Sequence, residues 1–135
     1  MKIGVLIPAT SAQRNWKTYK DSYLYKYTLK TFLITYNNNE HQYIFYIGID
    51  KDDDMFGNEN IIAQFERFMN IMKNVSIQFH IMDANKGHVT VMWNQLFKLA
   101  YNDKCDYFFQ CGDDIVFKTK DWVNDCIDAL QKNNN

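Results

Sequence analysis

The 135-residue sequence has one proline, five glycines, three cysteines and a formal net charge of only −1. Each scarcity excludes something. Cys105, Cys111 and Cys126 are odd in number and include no CxxC pair, which argues against a disulfide framework or a zinc site. They are expected to be small buried thiols of a reducing compartment. His41, His80 and His88 share no metal-ligand spacing. Basic residues are scattered, and the one run of like charge is Asp52-Asp53-Asp54, so no electrostatic footprint for nucleic acid or an anionic membrane is visible. The N-terminal apolar run stops at Pro8, too short and wrongly flanked for a signal peptide or a membrane span. The expectation is a soluble, cytoplasmic protein. The glycines form neither GxGxxG after the first strand nor GxxxxGK[ST], so a dinucleotide fingerprint and a P-loop are both missing.

What is present is a core. At 47% hydrophobic and 16% aromatic residues, the chain is long enough for one packed domain. Residues 1–132 are expected to form it, with 133–135 a disordered tail. The asparagine-rich composition fits an AT-rich genome and carries no structural meaning; Asn37-Asn38-Asn39 reads as a loop.

Lys2 to Pro8 is a continuous apolar run, the pattern of a strand buried on both faces of a parallel sheet. Ser22 is placed to cap a helix whose apolar face is Tyr25, Leu29, Phe32, Leu33 and Tyr36. Tyr43 to Asp50 is a second buried strand. The polar loop after it leads to a helix with Ile61, Phe65, Phe68, Met69 and Met72 on one face. Val75, Ile77, Phe79 and Ile81 alternate with polar residues, as an edge strand would. A third helix over His88 to Tyr101 turns Val89, Met92, Trp93, Leu96 and Ala100 inward. Asp106 to Cys111 is the fourth strand, and Thr119 or Asp121 begins a last helix carrying Trp122, Val123, Cys126, Ile127 and Leu130. This alternation predicts an α/β domain with helices on both faces of a mainly parallel, roughly four-stranded sheet.

In such sheets ligands bind beyond the carboxyl ends of the strands. This chain places there Pro8-Ala9-Thr10, then Asp50, then Asp83 with the Lys86-Gly87-His88 turn, and finally Gly112-Asp113-Asp114. The last of these joins two adjacent acids with no basic neighbour, between apolar runs. Like charges so placed repel unless a cation lies near them, and a divalent ion with oxygen ligands meets that need. Gly-Asp is also common turn chemistry, and that plain reading stands beside the functional one. A calcium loop starting at Asp50 fails, since Met55 and Ile61 stand where glycine and glutamate are required. Asp52 to Asp54 is expected to be a solvated loop.

These strand ends together resemble the nucleotide-sugar-binding half of GT-A-fold glycosyltransferases. Ile7-Pro8-Ala9-Thr10 is similar to that family's opening segment, and Asp50 matches its base-contacting acid. Gly87, His88 and Asn94 fall where the family carries a Gly…N stretch, and Gly112-Asp113-Asp114 is similar to its DxD-type motif, with glycine in place of a first acid. The resemblance implies a Rossmann-like α/β/α sandwich with strand order 3-2-1-4. It implies a UDP- or GDP-sugar as partner and Mn²⁺ or Mg²⁺ as cofactor. Asp114 would be the metal ligand and Asp113 the ribose contact or second ligand. Pro8, Ala9, Thr10, Gly87 and His88 would hold the nucleotide sugar, with Lys86 near its phosphates. The acceptor site and catalytic base of such enzymes have no counterpart in the chain, so the catalytic residues stay unassigned. A nucleotide-sugar-binding module without catalysis, or one half of a larger enzyme, is the alternative. A viral-polymerase palm shares apolar-Gly-Asp-Asp-apolar but needs a basic template channel that this charge balance does not supply. A plain interaction domain is the remaining reading.

Overall fold

The computed structural model describes residues 1–36, 40–85 and 87–133. The strands are β1 (Lys2–Pro8), β2 (Gln42–Ile49), β3 (Val75–Ile81) and β4 (Tyr107–Gln110). They pair in parallel in the order β3-β2-β1-β4. The helices are α1 (Lys30–Thr35), α2 (Glu59–Met69), α3 (Val89–Asn102) and α4 (Trp122–Lys132). The expected class and strand order are both found.

Side-chain alternation along β1 and β2 divides the core. Ile3, Val5 and Ile7 of β1 and Tyr43, Phe45, Ile47 and Ile49 of β2 face the larger cluster, with Phe32, Phe65, Val123 and Ile127 from the helices over that face. Leu6, Ile44 and Tyr46 face the other way, onto Met92, Leu96 and Ala100 of α3. Two strand glycines allow α3 to lie close. A β-carbon on Gly4 would come within 3.1 Å of Ala100, and one on Gly48 within 3.2 Å of Leu96.

The chain between β1 and α1 departs most from expectation. Ser22 does act at the helix start, its Oγ accepting from the Tyr25 amide at 3.2 Å. The helix then opens into a π-helical segment over Leu24–Leu29 before tightening into α1. Lys30 N–H reaches back to Tyr25 O, the i→i−5 bond of that geometry. Positions four and five apart then share a face, and Leu24, Thr28 and Leu29 are all buried. A short 3₁₀ turn at Tyr19–Asp21 precedes it.

Three smaller expectations are corrected. Cys126 is exposed rather than buried, because α4 turns Val123 and Ile127 to the sheet instead. Val89 is 39% exposed, since it lines the open cavity described below instead of packing into the core. Asp53 is buried, for reasons given below. β3 is an edge strand, and Asp121 is the residue from which α4 starts. Asn133 ends α4, its side chain donating to Ala129 O at 2.7 Å. The rest of the expected tail, and the loop expected at Asn37-Asn38-Asn39, lie outside the described residues.

Candidate functional site

Strand order reverses between β1 and β4, since β2 and β3 lie on one side of β1 and β4 on the other. Such a switch point opens a crevice at the strand carboxyl ends. A cavity of about 690 Å³ is found there. The end of β1 supplies Pro8, Ala9 and Thr10, the end of β2 supplies Asp50, the start of α3 brings Gly87, Val89, Met92 and Trp93, and the segment after β4 brings Gly112 and Asp113. Seven strand-end residues singled out in the sequence (Pro8, Ala9, Thr10, Asp50, Gly87, Gly112 and Asp113) thus line one space. His88 does not; it lines an adjoining cavity of about 650 Å³ with Asp83 and Asn85, and the two cavities share Asp50. Asp114 is exposed just past the lining, and Asn94 is exposed on α3 away from it. Lys86 lies outside the described residues.

The acid pair is electrostatically uncomfortable. No hydrogen bond from another described residue reaches either carboxylate. Burial, and after it the negative charge of Asp114, push the Asp113 carboxyl up to about 6. The same burial, with both acids adding to it, pushes the Cys111 thiol up to about 12, so Cys111 is no nucleophile. Gly112 makes room for the pair, because a β-carbon there would stand 2.9 Å from Asp114 Oδ1.

The backbone carrying these acids is held from the first helix. Thr28, buried in the π-helical segment, directs its hydroxyl at Asp113 O (2.8 Å) and Ile115 O (3.0 Å). One turn on, Thr31 Oγ1 accepts from the Phe117 amide at 3.0 Å. The π-helical segment and the start of α1 therefore present one threonine each to residues 113–117. π-Helical turns recur at functional sites, and here one grips the acid-bearing loop. Sequence periodicity gives no sign of it, because Thr28 interrupts an apolar face without breaking the helical pattern.

The opposite wall depends on Asp53. Its Oδ2 accepts from the Ser11 amide at 2.8 Å and its Oδ1 from Ser11 Oγ at 2.6 Å. Oδ1 also accepts from the amides of Met55 (3.1 Å) and Phe56 (2.8 Å). The solvated-loop expectation for Asp52 to Asp54 fails at Asp53 because these donors pair its charge inside the protein. It ties the loop after β1 to the loop after β2. Trp93, expected only as an inward residue of the third helix, donates from Nε1 to Leu6 O at 3.2 Å and so pins α3 against β1.

A resident cation can be tested against the donor set. Among the described residues no group of three or more His, Cys, Asp or Glu side chains comes together. Two adjacent carboxylates supply hard oxygen donors for Mg²⁺ or Mn²⁺ and leave the remaining positions to water and phosphate oxygens, which is how Mg²⁺ is commonly held with phosphorylated ligands. Burial first and the Asp114 charge second hold the Asp113 carboxyl up, and a bound cation would oppose both. The residues fit the ion.

No protein-family model and no curated protein sequence matches this chain. A solved structure does: S. aureus TarS 1–349, a GT-A glycosyltransferase, is similar over 98% of this chain with a TM-score of 0.61 and 13% identity. The likeness shows a GT-A-like fold. This chain spans 33% of the length of that one.

Proposed function

We propose that this domain binds a nucleotide-diphosphate sugar in the cavity at the β1/β4 switch point and acts as the sugar-donor domain of a metal-dependent glycosyltransferase. The observation that carries the reading is the convergence of three strand ends and the start of α3 on one cavity whose acid pair lacks neutralisation. Asp50, shared by the two adjoining cavities, is assigned to the nucleoside, with His88 and Gly87 beside it. Pro8, Ala9 and Thr10 form the wall against which the nucleotide lies. Asp114 and Asp113 would hold Mn²⁺ or Mg²⁺, with Asp113 also near the ribose; Lys86 is assigned to the phosphate side. When bound, the ion would supply Lewis-acid stabilisation of the diphosphate as the sugar leaves. The protein's own part is positioning: Thr28 and Thr31 hold the acid loop, Asp53 holds the facing loop, and Trp93 fixes α3.

The titratable groups lining the cavity are Asp50 and Asp113, and neither is free to serve as a base toward an acceptor if it holds the donor. That favours, as a second reading, a binding domain that turns over only with an acceptor-binding partner region. Calorimetric titration of UDP- and GDP-sugars with and without Mn²⁺, followed by an assay for released nucleoside diphosphate, decides between these. Cation-dependent binding with release supports the enzyme, and binding without release across a panel of acceptors supports the module. No binding of any nucleotide sugar would overturn both.

A further inference from the structure

The loop after β1 carries a cation for which the acid-centred reading has no use. Arg14 follows Gln13, a lining residue of the cavity. Its guanidinium carbon stands 4.8 Å from the Tyr23 ring centroid and 5.6 Å from that of Trp16. Those rings meet edge to face at 5.1 Å and form a shelf. Arg14 Nη1 donates to Tyr23 Oη at 3.4 Å, and the Arg14 amide donates to Ser11 O at 3.0 Å. Ser11 is the residue that Asp53 grips, so the turn bearing Arg14 is anchored in the protein interior. Arg14 is exposed, and no carboxylate among the described residues is salt-bridged to it. A guanidinium stacked on rings in this way keeps N–H donors at its edge for a planar or tetrahedral oxyanion.

Charge balance shows what is missing from the site. A divalent ion on Asp113 and Asp114 is neutralised by those two carboxylates, so the cluster offers a diphosphate no net positive charge. The departing sugar would leave further negative charge on that diphosphate. Asp50, the other titratable group of the lining, has the wrong sign. Arg14 has the right one, and it stands next to Gln13 in the lining, on the turn that Ser11 and Asp53 anchor.

We propose that Arg14, presented on the Trp16–Tyr23 shelf, is a phosphate-binding residue of this cavity and engages the diphosphate of the nucleotide from the β1-loop side. The inference rests on the nucleotide-sugar reading above and assigns that site its counter-charge.

The test compares wild type, Arg14→Gln and Arg14→Lys in saturating Mn²⁺. UDP and GDP are titrated by calorimetry, and uridine and guanosine by NMR chemical-shift perturbation. Wild type should bind one diphosphate more tightly than its nucleoside. Arg14→Gln should weaken the diphosphate by about ten- to a hundredfold, the range expected for lost charge-assisted hydrogen bonds, and leave the nucleoside within about twofold. Arg14→Lys should fall between, because a point charge replaces the planar fork. Added NaCl should weaken diphosphate binding more steeply in wild type than in Arg14→Gln. Equal diphosphate affinity in wild type and Arg14→Gln would overturn the inference and leave the nucleotide-sugar reading standing. A wild type that prefers neither diphosphate to its nucleoside would overturn both. A circular-dichroism melt of each variant checks that the fold is kept, as expected for a substitution at an exposed position.

Discussion

Two acidic segments follow strands of this sheet, and the protein treats them in opposite ways. Asp53, after β2, is buried and accepts from two backbone amides of its own loop and from both the amide and hydroxyl of Ser11. Asp113 and Asp114, after β4, receive no hydrogen bond from another described residue, and burial and then the Asp114 charge raise the proton affinity of Asp113. A satisfied acid is architecture, since its charge is spent on holding loops together. An unsatisfied pair, its loop held by Thr28 on the π-helical segment and Thr31 on α1, is where the proposed cation would sit. The difference separates structure from function better than the density of acids along the chain, by which Asp52-Asp53-Asp54 would have ranked first.

The sharpest way to break this contrast is to remove each acid and compare stabilities. Asp53→Ala leaves several buried donors unpaired and should destabilise the protein by about 3–5 kcal/mol, read by urea denaturation. Little change would mean that the four bonds are not what holds the two loops.

Asp113 should respond with the opposite sign. Its folded-state proton affinity is raised above the ordinary value of 3.8 to about 6, so the folded protein binds more protons between those values than the unfolded chain. Stability contributed by this group is therefore present at low pH, falls as pH rises from about 4 to 6, and stays lower above that. Asp113→Asn should be more stable than wild type by about 1–3 kcal/mol at pH 7.5, with the gain disappearing by pH 4. A loss of stability at pH 7.5 would show that the carboxylate is paired after all.

Thr28 links the two behaviours. Thr28→Val should lower stability by about 1 kcal/mol and weaken cation-dependent nucleotide binding by about threefold or more, while Thr28→Ser restores the binding. If Thr28→Val and Thr28→Ser bind alike, the hydroxyl does not position the acid loop. The smallest effect is expected at Gly112. Its added β-carbon in Gly112→Ala meets only the mobile end of Asp114. Mn²⁺ affinity should fall by a few-fold, about 0.5–1 kcal/mol, with the melting temperature nearly unchanged.

Much of the fold was legible because a two-sided buried strand leaves an unbroken apolar run, as in Tyr43 to Ile49, and an edge strand leaves alternation, as in Val75 to Ile81. The cavity-lining strand ends followed from the rule about carboxyl ends once the strands were placed. What could not be read depended on contacts between distant segments. Asp53 meets Ser11 from 42 positions away, and Thr28 meets Asp113 across 85. Neither residue differs in type or local pattern from an ordinary loop acid or helix threonine. Arg14 was overlooked for the same reason, since only the fold brings Tyr23 beneath it.

The most direct measurement is a thermal shift with Mn²⁺ plus UDP or GDP on wild type, Asp53→Asn and the double variant Asp113→Asn/Asp114→Asn. The account predicts that one nucleotide with Mn²⁺ raises the melting temperature of wild type, and that Asp53→Asn starts lower yet keeps most of the rise. The double variant should start higher than wild type and show no rise. A double variant that responds to Mn²⁺ and nucleotide as wild type does would contradict the assignment of the acid pair as the place where the cation is held.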